Sequence, residues 1–270
     1  MDNRPVGVFD SGLGGLTVVK SMLEYLPGEN VIYFGDTKRV PYGSRSKETL
    51  TEFVTDDINF LLSHNVKAIV IACNTADSVT MKEMRKKFDI PIVGVVEPAA
   101  REAANATKNG RIGVIGTTAT IESGAYGNRI RSFRPGAHVF GLPCPLLVPL
   151  VEEGRISPDD AVTVNVLTEY LHPLRLNDVD TLVLGCTHYP LLKPIIKELL
   201  PGVKIISSGY ASTETLKETL RVNGIENENT GGGRLELYVS DAPERFAKNG
   251  GLFIGREISD KVTKTDITKQ

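Results

Sequence analysis

The chain has 270 residues, 41% of them hydrophobic and 24% charged, which fits a folded globular protein of one large or two small domains. Its net charge of −2 and sequence pI of about 6.1 argue against a nucleic-acid footprint, which needs a concentrated basic face. No apolar run reaches the roughly 20 residues that cross a bilayer, and three cysteines without a Cys-x-x-Cys pair, beside four scattered histidines, suit neither a disulfide framework nor a zinc site.

The start, "MDNRPVGVFDSG", runs from polar residues straight into a strand-like stretch with no signal-peptide core, so a cytoplasmic protein is expected, with its thiols reduced. In chain order, "VGVFD" (6–10) reads as a strand, "DSGLGG" (10–15) as a glycine-rich turn and "LTVVKSMLEYL" as an amphipathic helix. "VIYFGD" (31–36) is the second strand, followed by the loop "TKRVPYGSRS" and a helix over 48–65. "AIVIAC" (68–73) is the third, "TADSVTMKEMRKKF" a helix whose basic "MKEMRKKF" is a solvated face, and "IPIVGVV" (90–96) the fourth. Valine and isoleucine runs without polar alternation predict strands buried on both faces, as in a parallel sheet covered by helices.

The pattern then restarts. "RIGVIGT" (111–117) matches "PVGVFDS" with Gly113 against Gly7, "HVFGL" (138–142) stands for the second strand, "TLVLGC" (181–186) sets Cys186 against Cys73, and "GVKIIS" (202–207) stands for the fourth. Four elements recurring in order read as a duplicated α/β half. The expected fold is α/β: two similar lobes with mainly parallel sheets flanked by helices, related by a pseudo-twofold, with the active site in the cleft between them. Residues 1–97 plus 207–270 are expected to form the first, discontinuous domain and 98–206 the second. Beyond 208, "ASTETLKETLRVNG" reads as a helix, and "GGGRLELYVSD" and "GLFIG" read as strands flanking a short helix.

Ligands bind open parallel sheets at the carboxyl ends of their strands. There stand Asp10 and Ser11, Tyr42, Cys73, Asn74 and Thr75, and in the second half Thr117, Thr118, Thr120, Glu152, Cys186, Thr187 and His188. A helix following each of Cys73 and Cys186 predicts a lowered thiol pKa at both. Two similar bases facing each other across a cleft suit inversion at a carbon: one removes a proton while the other returns one to the opposite face. Cys144, between prolines, reads as packing. "DSGLGG" fails the dinucleotide pattern, since Thr17 stands where a third glycine belongs, and lacks the lysine of a P-loop. Its backbone amides remain able to bind a carboxylate. Asp10 there serves either a thiol or substrate ammonium, or as a helix N-cap. His188, two residues after Cys186, can relay a proton.

Together these residues closely resemble the glutamate racemases, within the aspartate/glutamate racemase family. The motifs are "GVFDSGLGGLTV", "YFGDTKRVPYG", "ACNTA", "GVVEPA", "IGVIGTTATI", "PLVEEG" and "LGCTHYPLL", between residues 5 and 255. The resemblance implies cofactor-independent racemisation that supplies D-glutamate for peptidoglycan. It implies that Cys73, assisted by Asp10, takes the α-proton of D-glutamate. Cys186, assisted by His188 and Glu152, takes that of L-glutamate; the glutamate is placed at Glu152 of the Glu152–Glu153 doublet. Substrate contacts carry over to Asp10, Ser11, Tyr42, Gly43, Asn74, Thr75, Thr187 and His188. One departure is Ser207, where the family often has aspartate. No cofactor, metal, nucleic acid or membrane partner is expected; the partner is small-molecule glutamate, and the assembly a homodimer. Two other readings stay open. One is an aspartate racemase, its substrate one methylene shorter. The other is a non-catalytic two-lobed binder of a small dicarboxylate, which would have no use for both thiols.

Overall fold

A computed structural model describes residues 2–227, 229, 231–258 and 261–267. Its first half runs β1 (Val6–Asp10), α1 (Leu16–Tyr25), β2 (Val31–Gly35), α2 (Lys47–Ser63), β3 (Ala68–Ile71), α3 (Asn74–Lys87) and β4 (Ile92–Gly94). The second runs α4 (Val96–Ala106), β5 (Arg111–Gly116), α5 (Thr118–Glu122), α6 (Ala125–Phe133), β6 (His138–Pro143), α7 (Leu147–Glu152), α8 (Ala161–Leu176) and β7 (Thr181–Gly185). A short 3-10 turn (Tyr189–Leu192), α9 (Lys193–Leu199) and β8 (Lys204–Ser207) follow, then α10 (Ser208–Val222), β9 (Leu235–Val239), α11 (Pro243–Ile254) and β10 (Val262–Lys264).

The strands form two sheets, in the orders β10-β9-β2-β1-β3-β4 and β6-β5-β7-β8, with every neighbouring pair parallel. The order 2-1-3-4 of the first half thus returns in the second. The packing repeats as well. Gly7 lies against Leu61 of α2, where an added Cβ would meet the leucine at 3.1 Å, and Gly113 lies against Leu174 of α8 at 3.0 Å. At each strand a side chain is absent so that a helix can approach.

In each sheet the chain leaves its first strand on one side and returns on the other, which opens a crevice at the carboxyl ends. The crevice between β1 and β3 is edged by Asp10 and Cys73. That between β5 and β7 is edged by Thr117 and Cys186. The later segment joins the first sheet: β9 pairs with β2 and β10 with β9.

One element differs from its expectation. "GLFIG" belongs to α11 rather than to a strand. Phe246, Gly250, Phe253 and Ile254 are buried at helical spacing; Pro243 begins the helix, and Gly255, at φ 80°, ends it. The five-residue run alone carries no period. The helix backs the site, since the Phe253 ring meets the His188 ring edge-on at 5.2 Å between centroids. Phe253→Ala is expected to lower apparent stability by about 3–5 kcal/mol in urea unfolding, and to reduce turnover through the loosened imidazole.

Candidate active site

One cavity of about 440 Å³ collects residues from both halves. Its wall includes Ser11, Tyr42, Gly43, Cys73, Asn74 and Thr75 from the first, and Thr117, Thr118, Glu152, Cys186, Thr187 and His188 from the second. Two expected contact residues, Asp10 and Thr120, are fully buried behind this wall. The sequence reading missed an apolar rim of Val40, Pro41, Pro145, Val148 and Pro149, and also Gly12 and Ser44. The prolines of "VPYG" and "CPLLVP" were its available signal. No lysine or arginine is among these lining residues.

Both sulfurs are nearly dry, Cys73 being 5% exposed and Cys186 6%. Cys73 caps α3 and its thiol lies 3.8 Å from the Ser11 hydroxyl. The expected lowering of its pKa does not occur. Burial pushes the thiol up to about 12, the nearby Asp10 charge adds to this, and the backbone N–H of Ala76 offsets only part. The helix terminus is outweighed because no side-chain cation accompanies it. Nor does Cys186 open an α-helix, since the 3-10 turn at Tyr189–Leu192 comes between it and α9.

Its partner is instead His188, with Nδ1 3.8 Å from the Cys186 sulfur and Nε2 3.2 Å from Glu152 Oε1. Glu152, the last residue of α7, thus stands beside the imidazole. Burial alone would lower His188, but its bonds to Cys186 and Glu152 and the neighbouring negative charge raise it to about 10. The bond from His188 holds Glu152 below the usual carboxylate range. An imidazolium at neutral pH therefore faces Cys186, while a carboxylate lies near Cys73.

Asp10 is not an N-cap, a position that Gly15 takes in α1. Its carboxylate accepts the N–H groups of Gly12, at 3.0 Å, and Gly15, so the anion held at this helix entry is the protein's own. Burial raises Asp10 above the ordinary carboxylate value, against the His188 charge and these bonds. Thr187 reaches it from the other half at 3.4 Å. The glycines of "DSGLGG" serve that approach: a Cβ on Gly14 would sit 2.1 Å from Thr187 Oγ1 and 2.6 Å from His188 Nδ1. Further bonds join the halves. Thr75 Oγ1 meets Thr117 Oγ1 at 2.9 Å and Thr120 Oγ1 at 3.3 Å, and Ala119 N–H donates to the Gly43 carbonyl at 3.3 Å.

Tyr42 faces the cavity with its ring side only. Its hydroxyl turns away, donating to Asp36 at 2.6 Å, with Asp57 at 3.0 Å. Arg39 binds the same two carboxylates, at 2.5 Å and 2.7 Å, and Asp56 at 2.8 Å. This cluster pins both ends of the Val40–Pro41 pair at the cavity mouth. Cys144 is fully buried and its thiol, pushed up to about 12 by burial, donates to the Leu142 carbonyl at 3.6 Å.

Two nearly buried cysteines on equivalent loops face one cavity, with the His188–Glu152 pair beside the second, an arrangement of groups suited to acid–base chemistry. Among models of protein families, Asp/Glu/hydantoin racemase matches residues 6–216, and the chain belongs to that family. The glutamate racemase of Aquifex aeolicus is 45% identical over 96% of this chain and 97% of its own, and that of Geobacter metallireducens 44% identical over 95% of each. Of solved structures, the Bacillus anthracis glutamate racemase isoform RacE1 superposes with a TM-score of 0.93 at 37% identity, covering 98% of both chains. The Francisella tularensis glutamate racemase in complex with D-glutamate gives 0.92 at 36%, covering 100% of both. An aspartate racemase of Picrophilus torridus, with a TM-score of 0.58 at 18% identity over 80% of this chain and 94% of its own, shares the fold alone. The chain is an enzyme and stands among the glutamate racemases.

The contact between Glu152 and His188 fixes a titration. Because the Glu152 carboxylate raises the imidazole, Glu152→Gln should move the His188 midpoint down from about 10. The imidazolium should then be lost at lower pH, as followed by NMR of the ring carbon-bound proton. An unmoved midpoint would show that Glu152 does not set the His188 titration. Gly14→Ala should cut turnover at least tenfold with a milder effect on the melting temperature, because its Cβ would push Thr187 and His188 away from Asp10.

Proposed function

We propose that this protein interconverts L- and D-glutamate by two-base proton transfer between Cys73 and Cys186. The observation that carries the proposal is that the two thiols, from equivalent loops of two sheets, line one cavity. The cavity's volume of about 440 Å³ is within the ordinary range for small-molecule sites. The lobes on either side are taken as residues 1–97 with 207–270 and residues 98–206.

In this mechanism Cys186 removes the α-proton of L-glutamate while Cys73 delivers its proton to the opposite face. The His188 imidazolium supplies positive charge beside Cys186, and its link to Glu152 sets the ring. From D-glutamate the roles exchange: Cys73 is the base and Asp10, buried behind it, assists. Its high thiol pKa keeps Cys73 protonated, so that it carries the proton to be delivered, and makes it a strong base once ionised. Substrate carboxylates meet neutral donors, namely Ser11, Asn74, Thr75, Thr117, Thr118 and Thr187. Hydroxyls that rotate can follow either enantiomer, and in a dry site preorganised donors count for most where negative charge develops. Supply of D-glutamate to peptidoglycan from the cytoplasm, and a homodimeric assembly, complete the proposal on the strength of the family.

Incubating each pure glutamate enantiomer without added cofactor should give racemisation by polarimetry. In heavy water, D-glutamate at low conversion should yield L-product carrying deuterium at the α-carbon while recovered D-substrate stays little exchanged. L-Glutamate should give the mirror result. Early product that keeps its original α-hydrogen would rule out two opposed bases. Cys73→Ser and Cys186→Ser should each cost about 10³-fold or more in kcat, whereas a dicarboxylate-binding protein would keep its affinity in both. Aspartate, one methylene shorter, should be disfavoured by about 10- to 200-fold in kcat/KM.

A further inference from the structure

Asn74 is the first residue of α3, follows Cys73 directly, and lines the cavity. Its amide is held by two other elements. The hydroxyl of Tyr126, in α6, donates to Asn74 Oδ1 at 2.6 Å, and Asn74 Nδ2 donates to Ser208 Oγ, in α10, at 3.4 Å. All three residues are buried, at 2% exposure for Tyr126 and Asn74 and 1% for Ser208. The Tyr126 ring packs with Val114 and Val183 of the second sheet, so the phenol is fixed independently of α3.

An amide has two chemically opposite ends. With its oxygen toward Tyr126, one N–H goes to Ser208 and the other is left for the cavity. Turned over, Asn74 would take the acceptor away from a buried phenolic donor and place its oxygen where the second N–H had been. Burial keeps that phenol protonated, because its pKa lies well above the usual tyrosine value. The cavity wall has no lysine or arginine, so a carboxylate there depends on correctly aimed neutral donors.

We propose that Tyr126, seconded by Ser208, is a positioning residue for the reaction: it locks the Asn74 side chain with an N–H aimed into the cavity as a donor to the substrate's α-carboxylate. This rests on the racemase reading given above. Negative charge on that carboxylate grows as the α-proton leaves, so the donor acts more strongly in the transition state than in the ground state.

A double-mutant cycle tests it. Tyr126→Phe should lower kcat about tenfold with KM changed less than threefold, and Asn74→Ala should lower kcat further. The combined variant should be no slower than Asn74→Ala alone, because the phenol acts only through the amide. A merely structural tyrosine would instead add its own loss. Losses that multiply, or an unchanged kcat in Tyr126→Phe, would overturn the proposal. Should Tyr126→Phe fail to fold in a thermal melt, Ser208→Ala carries the same cycle with about a threefold loss. The orientation has its own readout, independent of turnover. The Tyr126 hydroxyl proton should give a slowly exchanging resonance in the unsubstituted protein that vanishes in Asn74→Ala. Its absence from the unsubstituted protein overturns the orientation, whereas absence of glutamate turnover with the resonance present overturns only the racemase reading.

Discussion

Two thiols buried in one cavity resist ionising together, and the arrangement around them answers to that constraint. Burial raises Cys73 most, the Asp10 charge raises it next, and charge on Cys186 adds a smaller push across the space a substrate would fill. A two-base racemisation respects this limit. One proton leaves the substrate for one sulfur as another leaves the opposite sulfur for the substrate, so the cavity holds the same charge before and after. The product enantiomer leaves with the two sulfurs exchanged in state, and the reverse reaction starts from there. A fixed lysine or arginine beside either sulfur would hold the charge on one side. The lining has neither, and its one imidazolium is tempered by Glu152.

The repeated half solves the geometric part of the problem. A proton can leave one face of a carbon and arrive at the other only from groups on opposite sides, and two copies of a 2-1-3-4 sheet place equivalent loops on each side. The backbone is near-symmetric, down to the paired glycines under Leu61 and Leu174. The polar surroundings are not. Cys73 has Asp10 and Ser11; Cys186 has His188 and Glu152. The lobes therefore share a scaffold and differ in the polar groups set beside each sulfur.

Much of this was legible in the sequence, for physical reasons that also mark where it stopped. The strands could be read because uninterrupted valine and isoleucine runs belong to sheets covered on both faces, and residues at their carboxyl ends converge by topology. "GLFIG" was misread because five apolar residues between glycines carry no period; only the wider stretch from Pro243 to Gly255 shows the helical stripe. The Cys73 pKa was misjudged because a helix terminus is visible in sequence while burial and a carboxylate from another strand are not. Arg39, and the turn of the Tyr42 hydroxyl away from the cavity, escaped for a related reason. Their partners Asp36, Asp56 and Asp57 come together only when β2 and α2 pack. The glycines at 12, 14 and 15 drew attention as an anion loop, yet the anion they surround is Asp10, and Gly14 is small because Thr187 and His188 press against it.

That last contact shows that the site and the junction between the halves are built from the same atoms. Thr75 bonds to Thr117, Asn74 to Tyr126, Thr187 to Asp10, and Thr17 to the Thr187 carbonyl at 3.0 Å. Each bond includes a residue next to a reactive group or next to one that touches it. Cys73 and Cys186 are 5% and 6% exposed, and residues that make these bonds line the cavity in which both sit. A loosening of the halves would therefore disturb the polar donors at Asn74, Thr75 and Thr187 together with the neighbouring His188. A thiolate basic enough to take a proton from an α-carbon needs that dryness, because bulk water would supply protons to it and weaken every directed donor nearby. In the proposed reaction, holding the halves together at these residues therefore serves both the exclusion of water and the placement of the acid–base pair.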